Sequence, residues 1–226
     1  MRRHRKGALT RWLYVIYMVL ADLLMLTAAS SMQTAVIAVL NVNPPPKDLA
    51  EKIKPKKPVV LWGVMEWQRA TPNDLDLWVE CVTLADARKN TVIVSYRQRT
   101  DGWLDLSQDD QGAPSPENFE VVNSNSNIWA VPPRTVCTFN VHHYAAKGGP
   151  IPMHGVFKLW WKMNTPEEVL LANLNFSVQG AGEERTLLVV HWDERGQLDR
   201  DTTTSYPTAQ TRFIATAKGN SSQDAR

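Results

Sequence analysis

One stretch limits what this chain can become more than any other. Trp12 to Leu40 reads WLYVIYMVLADLLMLTAASSMQTAVIAVL, with a single charged residue, Asp22, and no proline or glycine. A helix needs about 20 apolar residues to cross the hydrocarbon core of a bilayer. This run exceeds that, so it can span with tilt or with a turn emerging at one side. Arg2, Arg3, Arg5, Lys6 and Arg11 precede it without an intervening acid. The positive-inside rule then keeps residues 1–11 cytoplasmic and sends the rest of the chain across the membrane.

Asp22 is the anomaly in that run. A carboxylate at membrane depth costs roughly 2.5–3.5 kcal/mol on insertion scales, so it normally faces protein or water and has a task there. Three readings fit the segment: a cleaved signal peptide ending near Ala28, Ala29 and Ser30, a plain anchor, and an anchor whose Asp22 works inside a membrane complex. The apolar run continues past Ser30 to Leu40 and Asp22 would interrupt a signal sequence, which favours the third. On a helix, Met25, Leu26, Ala29 and Ser30 share a face with Asp22. Ala29 and Ser30 are small enough for a second helix to approach closely. Thr27, Ser30 and Ser31 add hydroxyl groups, so a carboxylate is followed by oxygens that can solvate a passing proton or sodium ion. The bland alternative is an Asp that only pairs with a partner's polar group.

The segment 41–58, NVNPPPKDLAEKIKPKKP, reads as a stiff, solvated linker, with about one helical turn in DLAEKI. From Val59 the texture changes to short β-rich runs. VVLWGVMEW, DLDLWVECV, TVIVSYRQ, GWLDL, ENFEVV, TVCTFNVHHY, HGVFKLWWKM, VLLANLNFSV and RTLLVVHWD follow one another, with TRFIATA (211–217) as a candidate last strand. In the second run Leu75, Leu77, Val79 and Cys81 alternate with Asp74, Asp76, Trp78 and Glu80, the mark of a half-buried strand. Many short strands between turn signals predict an antiparallel β-sandwich over 59–217. The whole chain is therefore expected to be a single N-terminal transmembrane α-helix followed by an all-β domain, with a disordered tail over 218–226.

Net charge is +2, which gives no electrostatic case for nucleic acid. The two cysteines, Cys81 and Cys137, lie in strand-like runs beyond the membrane segment. Either they form a disulfide, if those strands are neighbours, or they are two buried thiols. Asp74, Asp76, Asp105, Asp109, Asp110 and Glu117 offer hard oxygens of the kind calcium uses, without EF-hand spacing. His142 and His143 are adjacent on a strand and point to opposite faces. No H-E-x-x-H, G-x-S-x-G or CxxC pattern is present, which argues against a hydrolase. Trp78, Trp103, Trp129, Trp160 and Trp161 read mainly as strand-face packing. Trp78 on the polar face of its strand, or one of the pair Trp160 and Trp161, is the candidate for a carbohydrate or peptidoglycan contact.

Two resemblances follow from these pieces. The basic head, the run ADLLMLTAASSM with its aspartate, and the proline-rich linker resemble the ExbD/TolR and MotB class of single-helix subunits in ion-driven membrane motors. That resemblance covers about residues 1–45. It implies a homodimer inside a pentameric ring of polytopic MotA/ExbB-like subunits, a bacterial inner-membrane location with a periplasmic outer domain, and Asp22 as the group that takes up and releases the coupling H⁺ or Na⁺. Thr27, Ser30 and Ser31 as an ion path are a physical inference from the helix, not part of the resemblance. The β-rich outer region departs from that class, whose members end in α/β domains. Residues 67–144 instead resemble YfaP-like periplasmic β-sandwich domains, through NDLDLWVE, GWLDLSQDDQG, SPENFEV and TVCTFNVHHYA. Ser115 stands where that group's turn has glycine, and Cys137 where its last strand often has an aromatic. The resemblance implies a sandwich and little chemistry; a cell-wall or envelope partner held by the β-domain is a separate expectation of the motor reading.

Overall fold

The structure is a computed structural model that describes residues 49–84, 90–112, 117–125 and 128–215. The chain divides into two compact units, Met1–Ile53 and Lys54–Arg226. Asp22, Thr27, Ser30, Ser31 and the whole of Trp12–Leu40 lie outside the described residues, as does the tail beyond 215. Among the described residues no helix is long and apolar enough to cross a membrane. The first unit contributes one short helix, α1 (Leu49–Ile53), from the LAEKI part of the linker.

Among its described residues the second unit is all β. Its strands are β1 (Val59–Trp67), β2 (Asp74–Thr83), β3 (Asn90–Val94), β4 (Thr100–Asp101), β5 (Leu104–Gln108), β6 (Phe119–Ser124), β7 (Thr135–Ala145), β8 (Met153–Met163), β9 (Val169–Val178), β10 (Glu184–Trp192) and β11 (Leu198–Ser205). They form a six-stranded sheet in the order β4-β5-β6-β1-β8-β9 and a five-stranded sheet in the order β11-β10-β7-β2-β3. Every pairing is antiparallel. Such paired sheets are consistent with the expected sandwich.

Alternation explains the core. Leu75, Leu77, Val79 and Cys81 of β2 and Cys137, Phe139 and Val141 of β7 turn inward. They meet Leu61 and Met65 of β1 and Phe157 and Leu159 of β8 in one buried cluster. The rings of Phe139 and Phe157 lie 5.5 Å apart, one from each sheet. A Cβ at Gly63 would come within 3.0 Å of a Val122 methyl and 3.1 Å of a Leu159 methyl, so the glycine lets the neighbouring side chains pack close. Cys81 stands directly opposite Cys137 in the β2–β7 register. Their Cα atoms are 4.0 Å apart and the two sulfurs are bonded, inside the core.

Two sequence expectations need correction. TRFIATA is not a strand over its described part; Thr211–Ala215 is a strap laid on the outer face of the five-stranded sheet. The Arg212 N–H donates to Thr186 Oγ1 (2.8 Å), and the N–H groups of Ile214 and Ala215 donate to Glu184 Oε1. Ile214 and Ala215 bury Trp78, with Ile93 and Tyr96 beside it. Trp78 is therefore covered, although its strand face is polar by pattern. The second correction concerns Trp129, which is not packing at all: it is 88 % exposed. Trp160 and Trp161 are half-buried, Trp160 tilted against Trp62 at 4.9 Å and Trp161 under the Lys162 ammonium at 4.7 Å.

Candidate functional site: a buried carboxylate cluster

The β2 strand is longer than its neighbour β3, which pairs with it only from Val79 onward. Among the described residues the edge of β2 at Asp74–Trp78 has no strand partner on that side. Glu120 fills the gap from the other sheet. It pairs with core Met65 and alternates with core Val122, so its phase aims it between the layers. There Glu120 Oε2 accepts the Leu77 N–H at 2.5 Å.

Asp76 and Asp109 come to the same place. One carboxylate oxygen from each of Asp76, Asp109 and Glu120 lies within 4.8 Å of the others. Asp109 follows the end of β5, in a loop seated by Gly112. That glycine has φ +83°, and a Cβ there would sit 2.5 Å from Pro72 O. Asp110 accepts the Gly112 N–H at 2.9 Å and so closes the turn.

A polar hub holds the neighbouring chain in place. Buried Asn73 accepts the N–H groups of Lys147 (3.1 Å) and Gly149 (3.0 Å) and donates to Pro150 O (3.0 Å). This fixes the loop after β7 so that Lys147 Nζ reaches Asp74 Oδ2 (3.3 Å) and Gln111 O (2.9 Å). His142, opposite Asp76 in register, turns Nδ1 toward Asp76 Oδ2 at 3.6 Å, beyond hydrogen-bond reach. His143 pairs with Leu75 and is also wholly buried.

The electrostatics follow from burial. Burial, then the Asp76 charge, pushes Asp74 up to about 6 against the pull of Lys147. Burial raises Asp76, with His142 opposing. Burial and then Asp76 hold Glu120 well above the usual carboxylate range. Burial lowers His143. Buried carboxylates without compensating charge prefer their neutral form.

Of the calcium candidates read from sequence, the structure brings together Asp76 and Asp109, with Asp74 close enough to feel both charges. Asp105 lies apart. It alternates with core Leu104 and Leu106, so it faces outward beside Asn123. Glu120 and Asn73 were not among the candidates. The one sequence signal for Glu120 is its even spacing from Val122 in ENFEVV, which puts a carboxylate in phase with core residues. Comparison of the chain with protein-family models, curated proteins and solved structures finds no match.

A pH experiment reads the cluster directly. An acid whose folded pKa is raised contributes stability below its unfolded value and loses it as pH rises through the folded value. For Asp74, from 3.8 to about 6, the loss is about 3 kcal/mol between roughly pH 4 and pH 6. His143, lowered, works the other way below about pH 6.5, so a single profile mixes the two. Glu120→Gln separates them. In chelator at pH 7.5 this variant is expected to melt several degrees above the parent, with the advantage gone at pH 4. A variant no more stable than the parent at pH 7.5 would show that Glu120 is not held against its charge.

Proposed function

We propose that the chain is the single-helix, ion-coupling subunit of an ion-driven rotary motor of the bacterial inner membrane. Two copies sit inside a pentameric ring of polytopic subunits, Asp22 carries the coupling H⁺ or Na⁺, and the β-domain passes force to an envelope partner. The observation that carries this reading is Asp22 itself, the one charge in a membrane-length apolar run behind a basic head. An intramembrane carboxylate is retained where it pairs or titrates. The all-β unit supports the reading in a limited way: its disulfide joins β2 to the central strand β7, which suits a body under load.

A second reading is favoured by one specific observation. Trp129 projects beside a groove whose apolar wall, Val59, Val60, Ile128 and Pro166, is edged by Asp105 and Asn123. An exposed ring next to polar groups suits a sugar polymer, and a passively anchored binding module would need nothing more. Isolation from native membranes separates the two. The motor reading predicts that this chain co-purifies as a dimer with a several-span membrane protein in molar excess. Recovery of the chain without any such partner, under mild detergent and after crosslinking, rejects it.

A further inference from the structure

We propose that Asp76, Asp109 and Glu120 bind one hard divalent cation, calcium, at the seam between the two sheets. The proposal concerns the outer domain alone and holds whether or not the motor reading does. Three separate elements deliver the oxygens: β2, the loop after β5, and β6. Calcium–oxygen distances of about 2.3–2.6 Å put ligand oxygens no more than about 5 Å apart around one ion. The observed separations, all within 4.8 Å, meet that limit.

The second observation is a set of orphaned buried atoms. Glu120 is 0 % exposed, and its Oε1 has no hydrogen-bond partner among the described residues; Asp76 Oδ2 and Asp74 Oδ1 are alike in this. His142, outside the acidic set, is also 0 % exposed, with neither ring nitrogen partnered among the described residues. Its Nδ1 faces Asp76 Oδ2. Buried polar groups are paired in nearly all folded proteins, and an exception points to a missing water or ion. Charge points the same way. Lys147, half-exposed, pairs with Asp74 and His142 stands beside Asp76, while no ion pair is seen at Glu120 among the described residues; buried carboxylates left uncompensated are costly.

The donor chemistry selects the ion. An all-carboxylate set suits calcium, magnesium or manganese rather than zinc. Oxygens from a loop and two strands favour calcium, which tolerates irregular geometry, over magnesium, which demands a near-ideal octahedron. Asp74 lies alongside Asp76 to add charge.

The test uses the full-length chain in detergent, stripped with chelator and titrated with calcium chloride by calorimetry, with the thermal midpoint followed in parallel. One calcium per chain and a raised midpoint are expected. Glu120→Gln and Asp109→Asn should each weaken binding by roughly tenfold or more, while Asp105→Asn leaves it unchanged. Glu120→Gln should fold in chelator at least as stably as the parent, so its loss of binding is not a loss of fold; Asp109, half-exposed, supplies an independent variant. Absence of both heat and a midpoint shift with calcium would overturn the proposal in favour of carboxyls that share protons. So would calcium binding that survives Glu120→Gln, or a response to zinc without one to calcium.

Discussion

Removing the Cys81–Cys137 bridge is expected to lower the thermal midpoint of the β-domain by about 10 °C. The two cysteines are 56 residues apart in sequence. Closing a loop of that length in the unfolded chain corresponds to about 4 kcal/mol in the chain-entropy model. For a domain of this size each kcal/mol shifts the midpoint by about 2–4 °C. The bridge also lies at the centre of the five-stranded sheet, with both residues buried in the main core. Cys81→Ala with Cys137→Ala therefore loses packing as well as the constraint. Heating the full-length chain with and without reductant, and following emission from buried Trp62 and Trp78, measures the shift. A midpoint within about 2 °C of the parent's would mean that the bond does not constrain the unfolded chain. Bridges of this kind persist in oxidising compartments, the side on which the proposed function would put the domain.

How far the sequence could be read depended on phase. VVLWGVMEW and VLLANLNFSV coincide with β1 and β9 end to end. The first is rich in β-branched and aromatic residues and the second in leucine, and both are bounded by turn residues. The alternation in DLDLWVEC gave the inward face of β2 correctly. The strand LDRDTTTS, β11, left almost no signal: it is an edge strand, polar along most of its length and largely open to water. The apolar residues of TRFIATA misled for the opposite reason. Ile214 and Ala215 are buried, but on the outer face of a finished sheet rather than in a strand of it. That strap also hides Trp78, which no local pattern reveals.

The cluster shows the same limit. The sequence shows Asp74, Asp76 and Asp109 as acids on loops and strand ends, yet only pairing tells Asp109 from Asp105. Asp105 is held outward by the phase of Leu104 and Leu106, while Asp109 has passed the end of β5 and is free of it. The irregular register between Leu106 and Gln108 shifts that phase again, and a shift of one residue exchanges the two faces of a strand. Glu120 could be assigned only once its strand was paired with β1.

Asp22→Asn should leave assembly intact and abolish ion-driven work. Asparagine keeps the size of the side chain and its capacity to hydrogen-bond, so a purely structural polar contact would survive the change. It cannot alternate between a neutral and a charged state, and coupling requires that alternation. In the proposed cycle the acid is neutral while it holds a proton, or is paired while it holds sodium, and it is charged after release. The difference sets which polar groups of the ring it faces. The measurement is ion flux into vesicles that contain this chain and its ring partner, with a proton-sensitive dye and a sodium indicator in parallel. Parent protein is expected to pass one ion, and Asp22→Asn to fall to the level of protein-free vesicles. Asp22→Glu keeps the carboxyl one methylene further out and should retain part of the flux. Ala substitutions at Thr27, Ser30 and Ser31 should slow it without stopping it, because hydroxyls and water can replace one another around a moving ion. Undiminished flux in Asp22→Asn would leave the aspartate as a helix contact and the chain as a tethered β-module, for which the groove beside Trp129 becomes the place to seek a ligand.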